Sequence, residues 1–408
     1  MLGIIVSESC PCGAQTGSSE HIILECSLFE ASRAKLLEQL HSMKTLIKPS
    51  NLDNNSNYCK YSGSGNQIRQ PIPNQDLDVR DRLSKEPPSC EPSATFVPGQ
   101  GKICKDQLIF EESFTLGKLD RTKWKHDCHM ANIDMDNEFV SYQAKPENIF
   151  VSDKSLMFHP TVLNDADFVE SGELDLASTC GCAPMAYGEC SRKAMFYNIL
   201  PPVVSASIRS KFSFRYGRIQ IDAKLPEGNW LYPILNLEPK DYNHGSGYKS
   251  GAMRIAFARG NKVLKSQETD YDFGSSELSG ALLFKHDDPV RNITAKVYKN
   301  VNKESWANAF HKYELEWTPY HVCFIVDNIK YGVILPPKGN FPSGQSQDVT
   351  KGENWKNHMP MFSELMVVRL GLGAGGITDF PDGTSSSSSN GDFAPKPWEN
   401  FNPKSMLR

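Results

Sequence analysis

No stretch of this chain stays apolar for the roughly 20 residues that a membrane-spanning helix requires, and nothing in it reads as a helical span. An excess of one charge is missing too: 44 Lys and Arg stand against 48 Asp and Glu, a formal net charge of −4. Such a balance gives no encouragement to binding of nucleic acid or of a generally anionic surface. Met1 to Ser7 is short and carries no basic residue, so no secretory signal is visible. Helical periodicity is scarce after Cys90. The last absence is chemical. The stretch Ser250-Gly-Ala-Met-Arg-Ile-Ala-Phe-Ala-Arg-Gly-Asn261 contains no carboxylate.

What is present points elsewhere. The 408 residues are 39% hydrophobic, enough for one large domain plus a tail. There are 11 cysteines. Cys90 and Cys104 bracket the start of the main domain, and Cys180, Cys182 and Cys190 cluster in a loop rich in Gly and Pro. Loop-clustered cysteines suit disulfides in an oxidising compartment. Asn292-Ile-Thr294 and Asn54-Asn-Ser56 are glycosylation sequons, tripeptides that also arise often by chance.

The first segment differs in character from the rest. Cys10, Cys12, His21 and Cys26 have knuckle-like spacing and form a set able to hold a tetrahedral zinc ion. Phe29 to His41 reads as a short amphipathic helix. The words Cys-Pro-Cys-Gly and Glu20-His-Ile-Ile-Leu-Glu-Cys26 resemble the C-terminal knuckle of non-LTR retrotransposon polyproteins, over about the first forty residues. Three readings stand side by side: a zinc module, a fused exon that displaced a signal peptide, and an incidental tail. Residues 48–89, rich in Asn, Pro, Gln and charge, read as a disordered linker between the extension at 1–47 and a domain at 90–408.

Within that domain strand patterns dominate. Arg218 to Leu225 alternates polar and apolar, and Pro226-Glu-Gly-Asn229 supplies a turn. Tyr313, Leu315 and Trp317 alternate against Glu314 and Glu316, and the chain returns through Val322 to Val326 into Asp327-Asn328. Leu365 to Leu372 is a final apolar strand opening into Gly373-Ala-Gly-Gly376. Many short strands with regular turns predict an all-β, two-sheet β-sandwich behind a short irregular or helical N-terminal extension.

The ordered words of this domain resemble glycoside hydrolase family 16, and within it the insect β-1,3-glucan recognition proteins, over about Cys90 to Trp398. They include Leu108-Ile-Phe-Glu-Glu-Ser-Phe114, Lys123-Trp-Lys-His126, Phe212-Ser-Phe-Arg-Tyr-Gly-Arg218 and Gly228-Asn-Trp-Leu-Tyr-Pro233. Leu315-Glu-Trp-Thr318 and Phe380-Pro-Asp-Gly383 continue the series. The resemblance implies a concanavalin-like jelly roll with a glycan on one concave face. It also implies a catalytic strand of the form Gly-Glu-Ile-Asp-Ile-Met-Glu. Laid on that pattern, the nucleophile becomes Ala252, the assisting Asp becomes Arg254 and the acid/base becomes Phe257, while Ser250-Gly251 and Arg259-Gly-Asn261 are kept. A retaining glycosidase needs two carboxyl groups roughly 5 Å apart, and acid/base help alone is worth roughly 10²–10⁴ in rate. Arg254 stays protonated and cannot act as a base. Hydrolysis by this route is not expected, although Ala252 to Phe257 taken alone also reads as a plain buried strand.

The pair Glu173 and Asp175 mimics the start of the catalytic motif upstream and reads better as an outer strand. Trp230 and Tyr232, two apart on the cleft strand, are candidate platforms for pyranose rings. Phe284 and Arg369 stand where the family carries a Trp and an Asn, and complete the candidate glycan site with Arg254. Free in the cleft, Arg254 and Arg369 favour an anionic glycan or lipopolysaccharide; paired with neighbouring acids, they only fill space. The low-complexity run Ser385 to Ser389 is expected to be a flexible insertion near the cleft end.

The reading that follows is a non-catalytic, secreted protein that binds microbial β-1,3-glucan or a related surface glycan. The resemblance adds an immune serine-protease cascade as partner, and no cofactor is expected beyond zinc in the extension. The alternatives are an endo-β-1,3-glucanase using displaced carboxylates such as Glu173 and Asp175, and a degenerate fusion without stable function.

Overall fold

Alternation decides the architecture. The computed structural model describes residues 2–5, 90–131, 138–163, 165–183, 188–195, 199–285, 292–299, 302, 304–336, 360–387 and 393–396. The strands of its two main sheets are, in chain order, β1 (Leu2–Ile5), β2 (Leu108–Glu112), β3 (Trp124–His126), β4 (Ser207–Phe214), β5 (Gly217–Ala223), β6 (Leu231–Pro239) and β7 (Ala252–Phe257). They continue with β8 (Glu277–Phe284), β9 (Asn292–Lys299), β10 (His311–Trp317), β11 (Val322–Val326), β12 (Ile329–Ile334) and β13 (Met366–Ala374). One sheet runs β2-β1-β5-β10-β11-β12 and the other β9-β8-β7-β6-β13-β4-β3, every pairing antiparallel.

Every second side chain of each sheet enters the space between them. Ile219 and Ile221 of β5, with Tyr313, Leu315 and Trp317 of β10, meet Leu235, Leu237, Met253, Ile255, Val368 and Leu370 from the other sheet in one apolar core. That is the sandwich that the alternation predicts. Asp327 and Asn328, both at positive φ (48° and 67°), close the β11–β12 hairpin in the left-handed pair of conformations that suits a two-residue turn.

Six cysteines of the domain are bonded as Cys90–Cys104, Cys128–Cys180 and Cys182–Cys190, and Cys323 is disulfide-bonded too. The Cys128–Cys180 and Cys182–Cys190 bridges pack with Met130 and Leu176 in a small cluster of their own.

Some expectations change. Leu2–Ile5 fall in the segment read as an irregular or helical extension, yet their backbone is a strand between β2 and β5. Apolar, β-prone residues fit a position with a strand edge on each side. The strand expected at Leu365 to Leu372 runs on to Ala374. It is not the last. Thr384–Ser387 pairs with Leu264–Ser266 and Phe393–Pro395, so Ser385, Ser386 and Ser387 are ordered rather than a flexible insertion. Cys10, Cys12, His21 and Cys26, the helix read at Phe29 to His41 and the linker at 48–89 lie outside the described residues.

Candidate functional site

In the candidate groove, the one the family resemblance implies, the central strand is β7, flanked by β6 and β8. A register shift between Arg254 and Phe257 puts Ala252, Arg254 and Phe257 on one face. Met253 and Ile255 enter the core instead. Ala252, Arg254 and Phe257 are all buried. Arg254 Nη1 donates to Asp379 Oδ1 at 2.7 Å while the second terminal nitrogen donates to Oδ2, a two-pronged pair. The guanidinium also lies 4.0 Å from the centre of the Phe257 ring. Asp379 stands in the turn after β13, so Arg254 clamps that turn over β7.

Beside this clamp, β4 and β13 place Arg209 and Arg369 directly opposite each other. Like charges so placed repel unless acids intervene. Two acids do. Asp127 reaches Nε of both Arg209 and Arg369 at 3.0 Å. Glu238 reaches Arg369 Nη1 at 3.0 Å and Arg209 Nη2 at 3.2 Å. Ser207 Oγ donates to Asp127 at 2.6 Å, and the Tyr242 hydroxyl donates to Glu238 at 3.0 Å. Burial alone would raise both carboxyls, but the facing guanidiniums outweigh it and hold each below the usual carboxylate range. His129 moves the other way for a base: burial, helped by the Arg369 charge, brings its imidazole down to about 3. The ring of two cations and two anions is neutral overall; Asp127, Glu238 and Arg369 are buried and Arg209 is half-buried.

The aromatic end of the groove is built differently. Tyr232 is buried, 5.8 Å from the Phe257 ring and 6.2 Å from Phe380. Its ring lies against Gly373, where any Cβ would collide with it. Trp230 is only half-buried and meets Phe380 edge-on at 5.4 Å. Its backbone sits at φ 66°, a left-handed conformation rare for a bulky residue. Two hydrogen bonds hold it there: Trp230 N–H donates to Asn261 Oδ1 at 3.0 Å, and Gly375 N–H donates to the Trp230 carbonyl at 2.9 Å. Asn261 in turn donates to Ser386 Oγ at 2.9 Å, and Ser386 donates to Asn229 at 2.9 Å. The retained motif residue Asn261 is therefore a backbone brace for Trp230.

The model of glycosyl hydrolases family 16 matches residues 247–363, which include β7. A β-1,3-glucan-binding protein of Tenebrio molitor is 33% identical over 383 residues, spanning 86% of this chain and 74% of the relative. The chain belongs to the β-1,3-glucan-binding protein family. Another relative, β-1,3-glucan-binding protein 1 of Manduca sexta, is 32% identical over 327 residues, 78% of this chain and 62% of its own length. The chain thus spans less than two thirds of that relative. Among solved structures, the laminarinase of Rhodothermus marinus aligns with a TM-score of 0.44 at 20% identity, covering 66% of this chain and 86% of its own.

For this member of the β-1,3-glucan-binding protein family the expected site divides. Trp230 and Tyr232 share one face with Arg254 and Arg369, but Trp230 is the more exposed of the two aromatics and Tyr232 is packed away. Arg254 and Arg369 do not present free charge to the groove; each is paired with buried acid, which removes the reason to expect an anionic ligand there. Phe284 is a correction. It shares the parity of Leu278 and Leu282 on β8, faces the core between the sheets and meets Phe362 at 6.4 Å. Glu173 and Asp175 lie exposed on a separate two-stranded ribbon, where Asp175 caps the helix Leu176–Cys180.

Sequence reasoning missed Asp127, Arg209, Glu238 and Asp379. One signal was there. Asn236 and Glu238 are polar on a strand otherwise apolar, and buried polar groups require partners. Among the described residues no group of three or more His, Cys, Asp or Glu is placed to hold a metal. Nor is any described helix long and apolar enough to cross a membrane.

Proposed function

We propose that this chain binds microbial β-1,3-glucan, or a closely related surface glycan, as a secreted pattern-recognition protein, and does not cleave it. The observation that carries the reading is Trp230. An aromatic face held half-exposed in a strained backbone, braced by Asn261 and Gly375, is pre-organised for the apolar face of a pyranose. The names of the relatives, β-1,3-glucan-binding and Gram-negative bacteria-binding proteins, support the same ligand class.

Absence of turnover rests on β7. Ala252 offers no nucleophile, Phe257 no proton, and Arg254 is engaged with Asp379. The disulfides support an oxidising compartment. A partner in an immune protease cascade rests on the family resemblance alone.

The test has two arms. Sedimentation with insoluble β-1,3-glucan should retain the protein, and Trp230→Ala should release it. A reducing-sugar assay on laminarin should match the buffer blank; sustained turnover by the purified chain would overturn the non-catalytic reading.

A further inference from the structure

A slot of about 1050 Å³ opens at one end of the sandwich, and side-chain parity places it between the two sheets. Its volume is at the top of the range of roughly 300–1,000 Å³ typical of small-molecule sites. Ile221 lines it from one sheet and Leu235, Leu370 and Leu372 from the other, with Leu225 just past the end of β5. These five keep between 4% and 7% of their surface exposed, whereas Leu237, Met253 and Val368 of the same core keep none. Solvent therefore reaches the layer between the sheets at this end. The hairpin Ile149–Ser152 with Ser155–Phe158 closes one side, and its Leu156 and Phe158 pack onto the core. Around the entrance Phe150 and Met157, each 43% exposed, and Phe310, 59% exposed, remain in water. Apolar groups gathered in this way mark interaction sites. Two sheets packed about 10 Å apart, with a hairpin beside them, admit a narrow molecule and not a folded partner.

Charge decides which narrow molecule. Lys154, Lys224 and Lys312 line the entrance together with Asp153, Asp222 and Asp327, so the formal charges of lysine and aspartate cancel. They also cancel locally: Asp153 and Lys154 are neighbours in the hairpin turn, and Asp222 stands opposite Lys312 on the outer face of its sheet. Asp327 accepts the Lys312 N–H at 2.9 Å and lies 2.7 Å from His311 Nδ1. So balanced an entrance favours neither an anion nor a cation, and carrying either one inward between leucines strips it of hydration. Oligosaccharide fits no better, because walls of leucine offer its hydroxyls no partner. An uncharged, elongated apolar molecule meets none of these costs.

We propose that this slot is a second ligand site, for an uncharged alkyl chain carrying at most a hydroxyl head, with the chain between the sheets. It shares no residue with the groove around Trp230 and does not rest on the glucan reading.

The experiment uses the full chain and the uncharged fluorescent probe N-phenyl-1-naphthylamine, displaced by 1-decanol, decanoate or decyltrimethylammonium. Saturable probe binding is expected, with decanol competing at a concentration at least about tenfold lower than either ion. Ala223→Trp, whose ring enters the slot, should weaken the probe about tenfold or more. Thermal melting checks that this variant is folded, and Phe310→Ala, a milder change at the exposed entrance, should weaken the probe also. Trp230→Ala should leave probe affinity intact and laminarin should not displace the probe, which separates failure of this proposal from failure of the glucan reading. Displacement by laminarin would merge the two sites and overturn the proposal. Binding that never saturates, or parental affinity in both folded Ala223→Trp and Phe310→Ala, would remove the site. Competition by decanoate or decyltrimethylammonium at the concentration that decanol needs would overturn the uncharged ligand.

Discussion

Trp230 and Asn236 lie six positions apart on one continuous run of chain, with their side chains toward the same groove, yet the two neighbourhoods have opposite fates. Around Asn236, Arg254, Arg369, Arg209, Asp127, Glu238 and Asp379 satisfy one another and little is left for a ligand. Around Trp230 the polar groups are spent on the backbone, and the aromatic face is what remains on offer. The contrast teaches that a groove residue's chemistry matters less than whether its neighbours have already used it. Buried ion pairs are weak evidence of stabilisation because desolvation offsets attraction, but breaking one leaves an uncompensated charge.

The charge ring should respond most strongly to substitution. Arg369→Ala should cost about 3–5 kcal/mol of unfolding free energy by urea denaturation, because it strands Asp127 and Glu238. Arg369→Met combined with Glu238→Gln should cost less than the sum of the two single changes. A loss below about 1 kcal/mol for Arg369→Ala would mean that the ring is a solvated surface network.

Acid should act on the same ring in a defined direction. His129 has a folded value of about 3, below the ordinary value near 6.5, so the unfolded chain binds more protons between those limits. Stability should therefore be flat above about pH 6.5 and fall as pH drops toward 3, by a few kcal/mol in order of magnitude. Asp127 and Glu238 act with the same sign further down, since their depressed values favour the folded state until they protonate. His129→Gln should flatten the slope between pH 6 and 4, read from thermal midpoints; an unchanged slope would place the acid sensitivity elsewhere.

At the other end of the groove the effect should be on binding alone. Trp230→Ala should weaken laminarin about tenfold, or about 1.4 kcal/mol, in a titration at constant pH. Smallest of all is Glu173→Gln, on the exposed ribbon. It should leave laminarin binding unchanged and the unfolding free energy within about 0.5 kcal/mol. A binding loss there would draw the ribbon into the site.

Much of the sandwich was legible in the chain. Tyr313, Leu315 and Trp317 announce an inward face, because alternation is a pattern of neighbouring residues, whereas the placing of Ala252, Arg254 and Phe257 on one face came from the family resemblance. Phe284 was readable in principle, since Leu278 and Leu282 set its parity; comparison with a family Trp drew attention from that local evidence. Ser385 to Ser387 resisted reading for another reason. A run of identical small polar residues has no period, and its strand is held by pairing with Leu264–Ser266 and by hydrogen bonds to Asn229 and Asn261.

Strand periodicity and residue identity are local properties, so the all-β architecture and the absence of any carboxylate from β7 are written in the chain. Only the tertiary structure decided that Arg254 meets Asp379, 125 residues away, and that Arg369 meets Glu238, 131 residues away. It also decided that Trp230 is left open while Tyr232 is covered. An ion pair or a buried ring depends on which distant segments share a few ångströms, and nothing within either segment encodes the other.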